Sequence, residues 1–447
     1  MVRVITYGTY DLLHYGHINL LKRAKLLGDY LIVGITADDF DKARGKINVK
    51  QSLMERIEAV KETGIADEII VEEYEGQKID DIKRYNIDIF TVGSDWIGKF
   101  DYLSEYCRVV YLERTEGVSS SELRAGERSI RLGLVGETSV LYKYYKESSY
   151  VNGVDIAGVY SEDQEISDFF RKEKIQVLSK YDRLLESVDA VYVASHPTKH
   201  YSQVKRALMA NKHVLCESPI ALSSTECKEL FGLAQEKSLI LMDAIKTAYA
   251  TAYNRMLLLV KGGKIGRILS VDSTCTSLQA IDIMNEKKFE YTWNSICGWG
   301  PTAMLPIFQI LGTTYNASNI VSLFVDEEKK FDLFTKVDFI YSNAVASLKV
   351  GKGVKSEGQL IVSGTKGYIY IPAPWWKTDY FEIRFENQEE NKRYFYHLEG
   401  EGIRYEIVAF LKSIATGKIN TYIDEVVSEK IVSIIEQFER KEGLYNI

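Results

Sequence analysis

Twice along this chain, at Val2 and again at Ile130, a short β-branched run ends at a glycine and gives way to a helix-forming stretch. Each time the alternation continues. Val2–Tyr7, Tyr30–Thr36, Glu68–Val71, Ile89–Val92 and Val109–Leu112 read as strands, with helices predicted over Gly16–Leu27 and Ser52–Lys61. The second round predicts strands at Ile130–Val135, Val154–Tyr160, Ala190–Ala194 and His213–Cys216, and helices over Tyr201–Asn211 and Ser224–Lys237. Strands alternating with helices demand a parallel sheet with right-handed crossovers, so the fold class is α/β, with two such sheets in tandem. After about Ala248 the texture changes. A helix is predicted over Thr251–Lys261, then long strands at Ile268–Cys275, Lys336–Tyr341, Val345–Val350, Gly358–Val362 and Tyr368–Ile371, and two closing helices, Ile403–Ile414 and Asp424–Arg440. That is α+β, one larger open sheet with helices on one face. The 447 residues thus divide at 1–127, 128–248 and 249–447, in line with roughly 150 residues per domain.

Composition excludes several classes. Lys+Arg 56 against Asp+Glu 63 gives a net charge of −7, without the basic surplus that nucleic-acid binding requires. No apolar run approaches the ~18 residues of a membrane span, and the N-terminal stretch reads as a strand and a glycine rather than a signal peptide. The five cysteines are odd in number, widely spaced and without a CxxC pair. They point to reduced, buried thiols in a cytoplasmic protein, not to a disulfide framework or a zinc site.

The strongest chemical signal is Gly8-Thr9-Tyr10-Asp11-Leu12-Leu13-His14-Tyr15-Gly16-His17, between the first strand and the first helix. Two of the chain's six histidines fall within it, three residues apart, where free N–H groups and the helix dipole favour anions. Gly16 clears space for a phosphate between the imidazoles, and two ring donors can stabilise charge that develops during phosphoryl transfer. Arg114-Thr115-Glu116-Gly117-Val118-Ser119-Ser120-Ser121 offers a second anion site, with Arg114 as a bidentate clamp. Arg44, Lys46 and Arg56 form a third cationic group.

These motifs, with Gly28-Asp29-Tyr30 and Gly93-Ser94-Asp95-Trp96-Ile97-Gly98-Lys99-Phe100-Asp101, carry a resemblance. The first 125 residues or so resemble the glycerol-3-phosphate cytidylyltransferases of the HxGH nucleotidyltransferase superfamily. The resemblance implies a Rossmann-like nucleotidyltransferase domain that binds CTP with Mg²⁺ and transfers cytidylyl to a polyol phosphate. It implies that His14 and His17 hold the triphosphate and that Thr9, Tyr10, Asp11 and Gly16 shape the pocket. Lys46 and Arg114 would neutralise phosphate charge, with Thr115, Ser119 and Ser120 beside them. Arg56 would read phosphate, and Asp95 and Trp96 would lie on the nucleoside and acceptor side. The stretch from Lys42 to Gln51 carries one extra residue relative to the family pattern.

Residues 130 to 447 resemble the Gfo/Idh/MocA oxidoreductases, through Asp189-Ala-Val-Tyr-Val-Ala-Ser-His-Pro-Thr-Lys-His200, Asn211-Lys-His-Val-Leu-Cys-Glu-Ser-Pro-Ile-Ala221, Gly262-Gly-Lys-Ile-Gly-Arg267 and the Gly364–Trp376 segment. This implies a Rossmann domain followed by an α+β open-sheet domain, and a place for NAD(P) at Gly133, Gly136, Thr138, Ser161 and Glu217. The fingerprint departs from the family at Thr138, which is expected to crowd the pyrophosphate, and at Glu137, which adds a negative charge. The family's Glu-Lys-Pro triplet reads Glu217-Ser218-Pro219, and its later Asp and His fall on Gly298 and Thr302. Without an acid–base group, hydride transfer to a carbonyl lacks its proton partner. Lys246, after the next strand and near Tyr249, is the candidate replacement acid. Two readings stay open: a cytidylyltransferase fused to a degenerate binding or oligomerisation module, or a bifunctional enzyme that first reduces a keto- or sugar phosphate with NAD(P)H. Both families imply a homo-oligomer.

Overall fold

The computed structural model describes residues 1–37, 49, 51–74, 76–113, 129–279, 292–326, 328, 330–396, 398, 400–417 and 422–447, with the side chain of Asp95 also outside the described set. The chain divides into two compact units, Met1–Ser129 and Ile130–Ile447.

The first unit is a parallel sheet of β1 (Arg3–Gly8), β2 (Tyr30–Thr36), β3 (Glu68–Glu72), β4 (Ile89–Gly93) and β5 (Arg108–Leu112), in the order β3–β2–β1–β4–β5. Its helices are α1 (Tyr15–Lys25), α2 (Leu53–Glu62) and α3 (Gln77–Tyr85). The strands read as continuous apolar runs because both faces are covered. Val4, Leu31 and Val33 pack with Leu21 in one core cluster, and Ile5, Ile32 and Phe90 pack in the other. β1 stands where the strand order reverses, with β2 on one side and β4 on the other. In open α/β sheets the crevice past the carboxyl ends at such a point is where ligands bind. Local chemistry places the helices: Lys22, Arg23 and Lys25 complement the C-terminal dipole of α1, and Ser52 with Glu55 forms a capping box on α2.

The second unit opens with β6 (Ile130–Gly136), α4 (Val140–Ser148), β7 (Val154–Tyr160), α5 (Gln164–Lys172), α6 (Tyr181–Ser187), β8 (Ala190–Ala194), α7 (Pro197–Met209), β9 (His213–Glu217), α8 (Ser224–Glu236) and β10 (Leu241–Ala244). These strands form a parallel sheet in the order β10–β9–β8–β6–β7. After α9 (Thr251–Lys261) come β11 (Ile268–Thr276), α10 (Ser295–Leu311), β12 (Ala317–Asp326), β13 (Phe331–Ile340), β14 (Val345–Gly351), β15 (Leu360–Gly364), β16 (Gly367–Ile371), β17 (Tyr380–Phe385) and β18 (Lys392–Phe395). The chain closes with α11 (Ile403–Thr416), α12 (Glu425–Glu439) and β19 (Leu444–Asn446). The second sheet has nine strands, β18–β17–β16–β15–β11–β14–β13–β12–β19, parallel at β11–β14 and β12–β19 and otherwise antiparallel.

The last two helices return to the parallel sheet. The Arg404 guanidinium of α11 forms a buried ion pair with Glu147 of α4 at 2.9 Å. Glu436 of α12 accepts from the N–H and hydroxyl of Ser224 at 3.0 and 2.6 Å, and Val432 joins the core built around Val135, Val193 and Val214.

Candidate functional site

In the first unit the chain makes a tight passage from β1 to α1. Tyr10 and Leu12 have φ of 53° and 48°, left-handed values that non-glycine residues adopt at a cost and that cluster at functional sites. A Cβ on Gly8 would stand 2.9 Å from the Tyr10 ring, so the turn closes only over glycine. His14 then caps α1: its Nδ1 accepts the Gly16 N–H at 3.1 Å. That bond leaves Nε2 as the ring's donor. His17, one turn on, stacks on His14 with centroids 3.8 Å apart, and Tyr10 meets His17 edge-on at 5.5 Å. The two imidazoles therefore form one platform at the carboxyl end of β1, beside the point where strand order reverses.

The other expected residues divide by what they touch. Asp11 is buried, and its Oδ1 accepts the Gln51 N–H at 3.0 Å, while Gln51 Oε1 accepts from Leu12 N–H at 2.8 Å. Arg56 is wholly buried: Nη1 donates to the carbonyls of Thr9 and Thr36 at 2.7 and 2.9 Å, and Nε to that of Gln51 at 3.2 Å. It ties the β1–α1 turn to the end of β2, where the sequence suggested a phosphate reader. Tyr10 is likewise a core residue with 2% exposure, packed edge-on against His17. Trp96 lies in a 3-10 turn after β4, with the Lys99 ammonium 5.0 Å over its ring. Lys46, Arg114, Thr115, Ser119 and Ser120 lie outside the described residues, as does the side chain of Asp95.

One group here was missed by sequence reasoning. Lys78, at the start of α3, is buried and paired with Glu72 at the end of β3. Its ammonium sits 4.6 Å over the Tyr7 ring, and Thr36 donates to Glu72 at 3.1 Å. A charged pair buried at the carboxyl edge of the sheet is costly unless geometry and hydrogen bonds compensate. The only signal in sequence was a lysine inside a polar helix, which reads as a solvated face.

In the second unit the β6–α4 turn keeps its backbone. Gly136 has φ 141°, and a Cβ there would lie 2.4 Å from the Ala194 carbonyl group, so glycine is needed for β6 to lie against β8. A Cβ on Gly133 would stand 3.0 Å from the Leu184 side chain, so this glycine serves packing. Thr138 does not crowd the turn as expected: its hydroxyl donates to the Ala194 carbonyl at 3.0 Å, which directs the side chain onto β8. Ser139 precedes α4 without capping it through its side chain. The turn thus fits a dinucleotide pyrophosphate at the α4 N-terminus. Glu137 is buried beside it, its carboxyl pushed up by burial against the pull of Lys199. Lys199 bridges Glu137 at 3.4 Å and Glu162 at 2.8 Å. Ser161 accepts from the Asp163 N–H at 3.1 Å, a local turn bond at the end of β7.

Beyond β9 lies a buried acidic group. Glu217 accepts a hydrogen bond from Tyr192, whose ring stacks on Tyr144 at 3.8 Å. Burial pushes Glu217 up to about 7, and Glu406 of α11, facing it, is raised well above its ordinary value by burial and by Glu217 itself. Each carboxylate thus opposes ionisation of the other, and the pair binds its proton more tightly than free carboxyls do. Lys246 is lowered by burial and paired to Glu401 at 3.2 Å, and Glu401 also binds Lys377. Against its own burial, these ammoniums hold Glu401 at about 2. Lys246 thus stands as an ammonium ion-paired to Glu401.

A parallel sheet with a histidine pair at its order reversal defines a nucleotidyl-transfer unit, followed here by a Rossmann-type unit. Family models agree on both: residues 5–126 match the cytidylyltransferase-like family and residues 130–244 match the oxidoreductase family with an NAD-binding Rossmann fold. The glycerol-3-phosphate cytidylyltransferase of Bacillus spizizenii is 47% identical over 135 residues, 29% of this chain and 100% of that protein. That of Bacillus subtilis is 49% identical over 129 residues, 28% of this chain and 95% of that protein. Through its first unit the chain belongs to the glycerol-3-phosphate cytidylyltransferase family. The second unit shares its fold with KijD10, a 3-ketoreductase from Actinomadura kijaniata solved with NADP and TDP-benzene, at TM-score 0.63 and 18% identity over 72% of this chain and 99% of that one.

Proposed function

We propose that the protein transfers a cytidylyl group from CTP to glycerol 3-phosphate or a related polyol phosphate, releasing pyrophosphate. The stacked His14–His17 pair at the α1 N-terminus, 3.8 Å between centroids, carries this reading. An acceptor phosphate oxygen attacks the α-phosphorus in line, the bond from the α-phosphorus to the bridging oxygen breaks, and that oxygen leaves with pyrophosphate. Such a transfer needs positioning and charge neutralisation rather than a covalent nucleophile. His14 and His17 donate to the triphosphate. Lys46 and Arg114, with Thr115, Ser119 and Ser120, complete the anion cradle, and Asp95 and Trp96 border the nucleoside. Mg²⁺ enters with the triphosphate as part of the substrate.

The product class, an activated polyol phosphate, suits assembly of a teichoic-acid-like or capsular polymer. Its substrates are cytoplasmic metabolites, and among the described residues no helix is long and apolar enough to cross a membrane. A homo-oligomer completes the proposal. The test is mass spectrometry of the full protein with Mg²⁺, CTP and a panel of polyol phosphates. A CDP-polyol with stoichiometric pyrophosphate is expected; its absence with every acceptor would overturn the reading.

A further inference from the structure

Lys352 follows β14 and is nine-tenths buried, yet among the described residues it has no ion pair within 4 Å. Its Nζ donates to the main-chain carbonyl of Trp293 at 2.7 Å. An ammonium has three donors, and burying a charge without a counter-ion is costly enough that such groups concentrate at functional sites. Its position is specific. A Cβ on Gly298 would stand 2.9 Å from both Nζ and Cε of Lys352. The lysine therefore occupies the space that the missing Gly298 side chain leaves free on α10. Trp293 in turn packs edge-on against His200 at 5.5 Å, and His200 Nδ1 lies 2.7 Å from the carbonyl of Pro219, next to Ser218. The chain of contacts runs from Lys352 to the carboxyl ends of β8 and β9, where a dinucleotide-binding sheet presents its ligand.

We propose that Lys352 is the proton donor of a second, carbonyl-reducing site in this unit, for a keto- or aldehyde-bearing polyol or sugar phosphate. Lys352 Nζ gives its proton to the carbonyl oxygen as the carbon receives a hydride from a reduced nicotinamide. The N–H bond breaks, an O–H bond forms, the carbonyl is reduced to an alcohol and the nicotinamide is oxidised. Water then returns the proton to the amine. The indole Nε1 of Trp293 and that of Trp299 are buried without an acceptor among the described residues, and hydroxyls of a polyol would supply acceptors. Burial brings Lys352 down to about 8, with Asp332 and Cys297 acting in the opposite sense. His196, the nearby ring of the parallel sheet, is lowered by burial to about 4 and stays neutral beside it. At pH 7 the lysine is thus mostly charged and ready to donate, and reduction should fall as pH rises through 8.

The test uses full-length protein labelled with [ε-¹³C]lysine, together with Lys352→Met and Lys352→Arg. One lysine resonance, missing in both variants, should titrate about two units below the surface lysines. Oxidation of NADH or NADPH by a panel of ketose, aldose and keto phosphates should drop at least ~100-fold in both variants, with KM little changed in Lys352→Arg. Cytidylyl transfer to preformed glycerol phosphate, measured on the same samples, should be unchanged and reports intact folding. Titration of Lys352 with the surface lysines, reduction that survives both substitutions, or no reduction by the unmodified protein with any carbonyl offered would each overturn the proposal. A loss confined to cytidylyl transfer would count against the first unit's reading instead.

Discussion

At the scale of single residues, groups that look alike in sequence do different work. His14 and His17 are held face to face, one fixed by its bond to the Gly16 N–H and the other backed by Tyr10. Replacing both by alanine should lower kcat/KM for CTP by about 10³-fold, roughly 4 kcal/mol of transition-state stabilisation. Steady-state pyrophosphate release measures it, and near-wild-type turnover would remove the site. Arg56 presents the opposite case. Its guanidinium satisfies three main-chain carbonyls in the interior. Arg56→Met should destabilise the first unit by about 3–5 kcal/mol by leaving them unpaired. Denaturant unfolding should register that loss. A variant that unfolds normally but has a raised KM for CTP would restore the phosphate-reading role. Sequence showed an arginine near a cationic loop; only the fold shows that it points inward.

At the scale of elements, the α/β alternation was legible because β-branched runs and amphipathic stretches have different periods. β2, β7 and β8 match the strands read from sequence residue for residue. α10 was not legible. It carries Pro301 and Pro306 inside the helix and Gly298 and Gly300 in its first turns, all signals against one. Packing against β11, β13 and β14 overrides them, since nearly its whole surface is buried. β12, β17, β18 and α3 were missed for a related reason: their half-exposed residues mix polar and apolar without clean alternation. Two elements also create a pH dependence that neither has alone. Glu217 ends β9, Glu406 sits in α11, and Tyr192, Asp243 and Lys246 face them. With Glu217 at about 7 in the folded state against 4.5 unfolded, the folded unit binds the proton more tightly. This contribution is complete below the unfolded value and is lost as pH rises through about 7. Thermal melts from pH 5 to 8 should show the second unit losing on the order of 2–3 kcal/mol, and Glu217→Gln should flatten the trend. A melt curve that rises over that range would contradict it.

At the scale of the whole molecule, each unit carries its own parallel sheet and its own core. Calorimetry should therefore resolve two transitions. CTP with Mg²⁺ at about 100 times its Kd should stabilise only one of them, by about 2.7 kcal/mol. A single transition that moves as a whole on adding CTP would show the units to be one cooperative body. The shared architecture of the halves was readable from sequence. The partnership of Lys352 with Gly298 was not, because 54 residues separate a lysine from the cavity it fills.

Val432 in the core around Val135, and Glu436 on Ser224, set an order of events during synthesis. The first unit needs nothing beyond residue 129 to close its sheet. The second unit's parallel sheet has all its strands by Ala244, but its core is not completed until α12 emerges some 180 residues later. At about 5–20 residues per second on the ribosome, that leaves the sheet waiting for about 9–36 seconds with part of its core uncovered. A nascent chain stalled or truncated anywhere before α12 would therefore present a finished transferase beside a sticky, unfinished neighbour, and chaperone demand should fall on that interval.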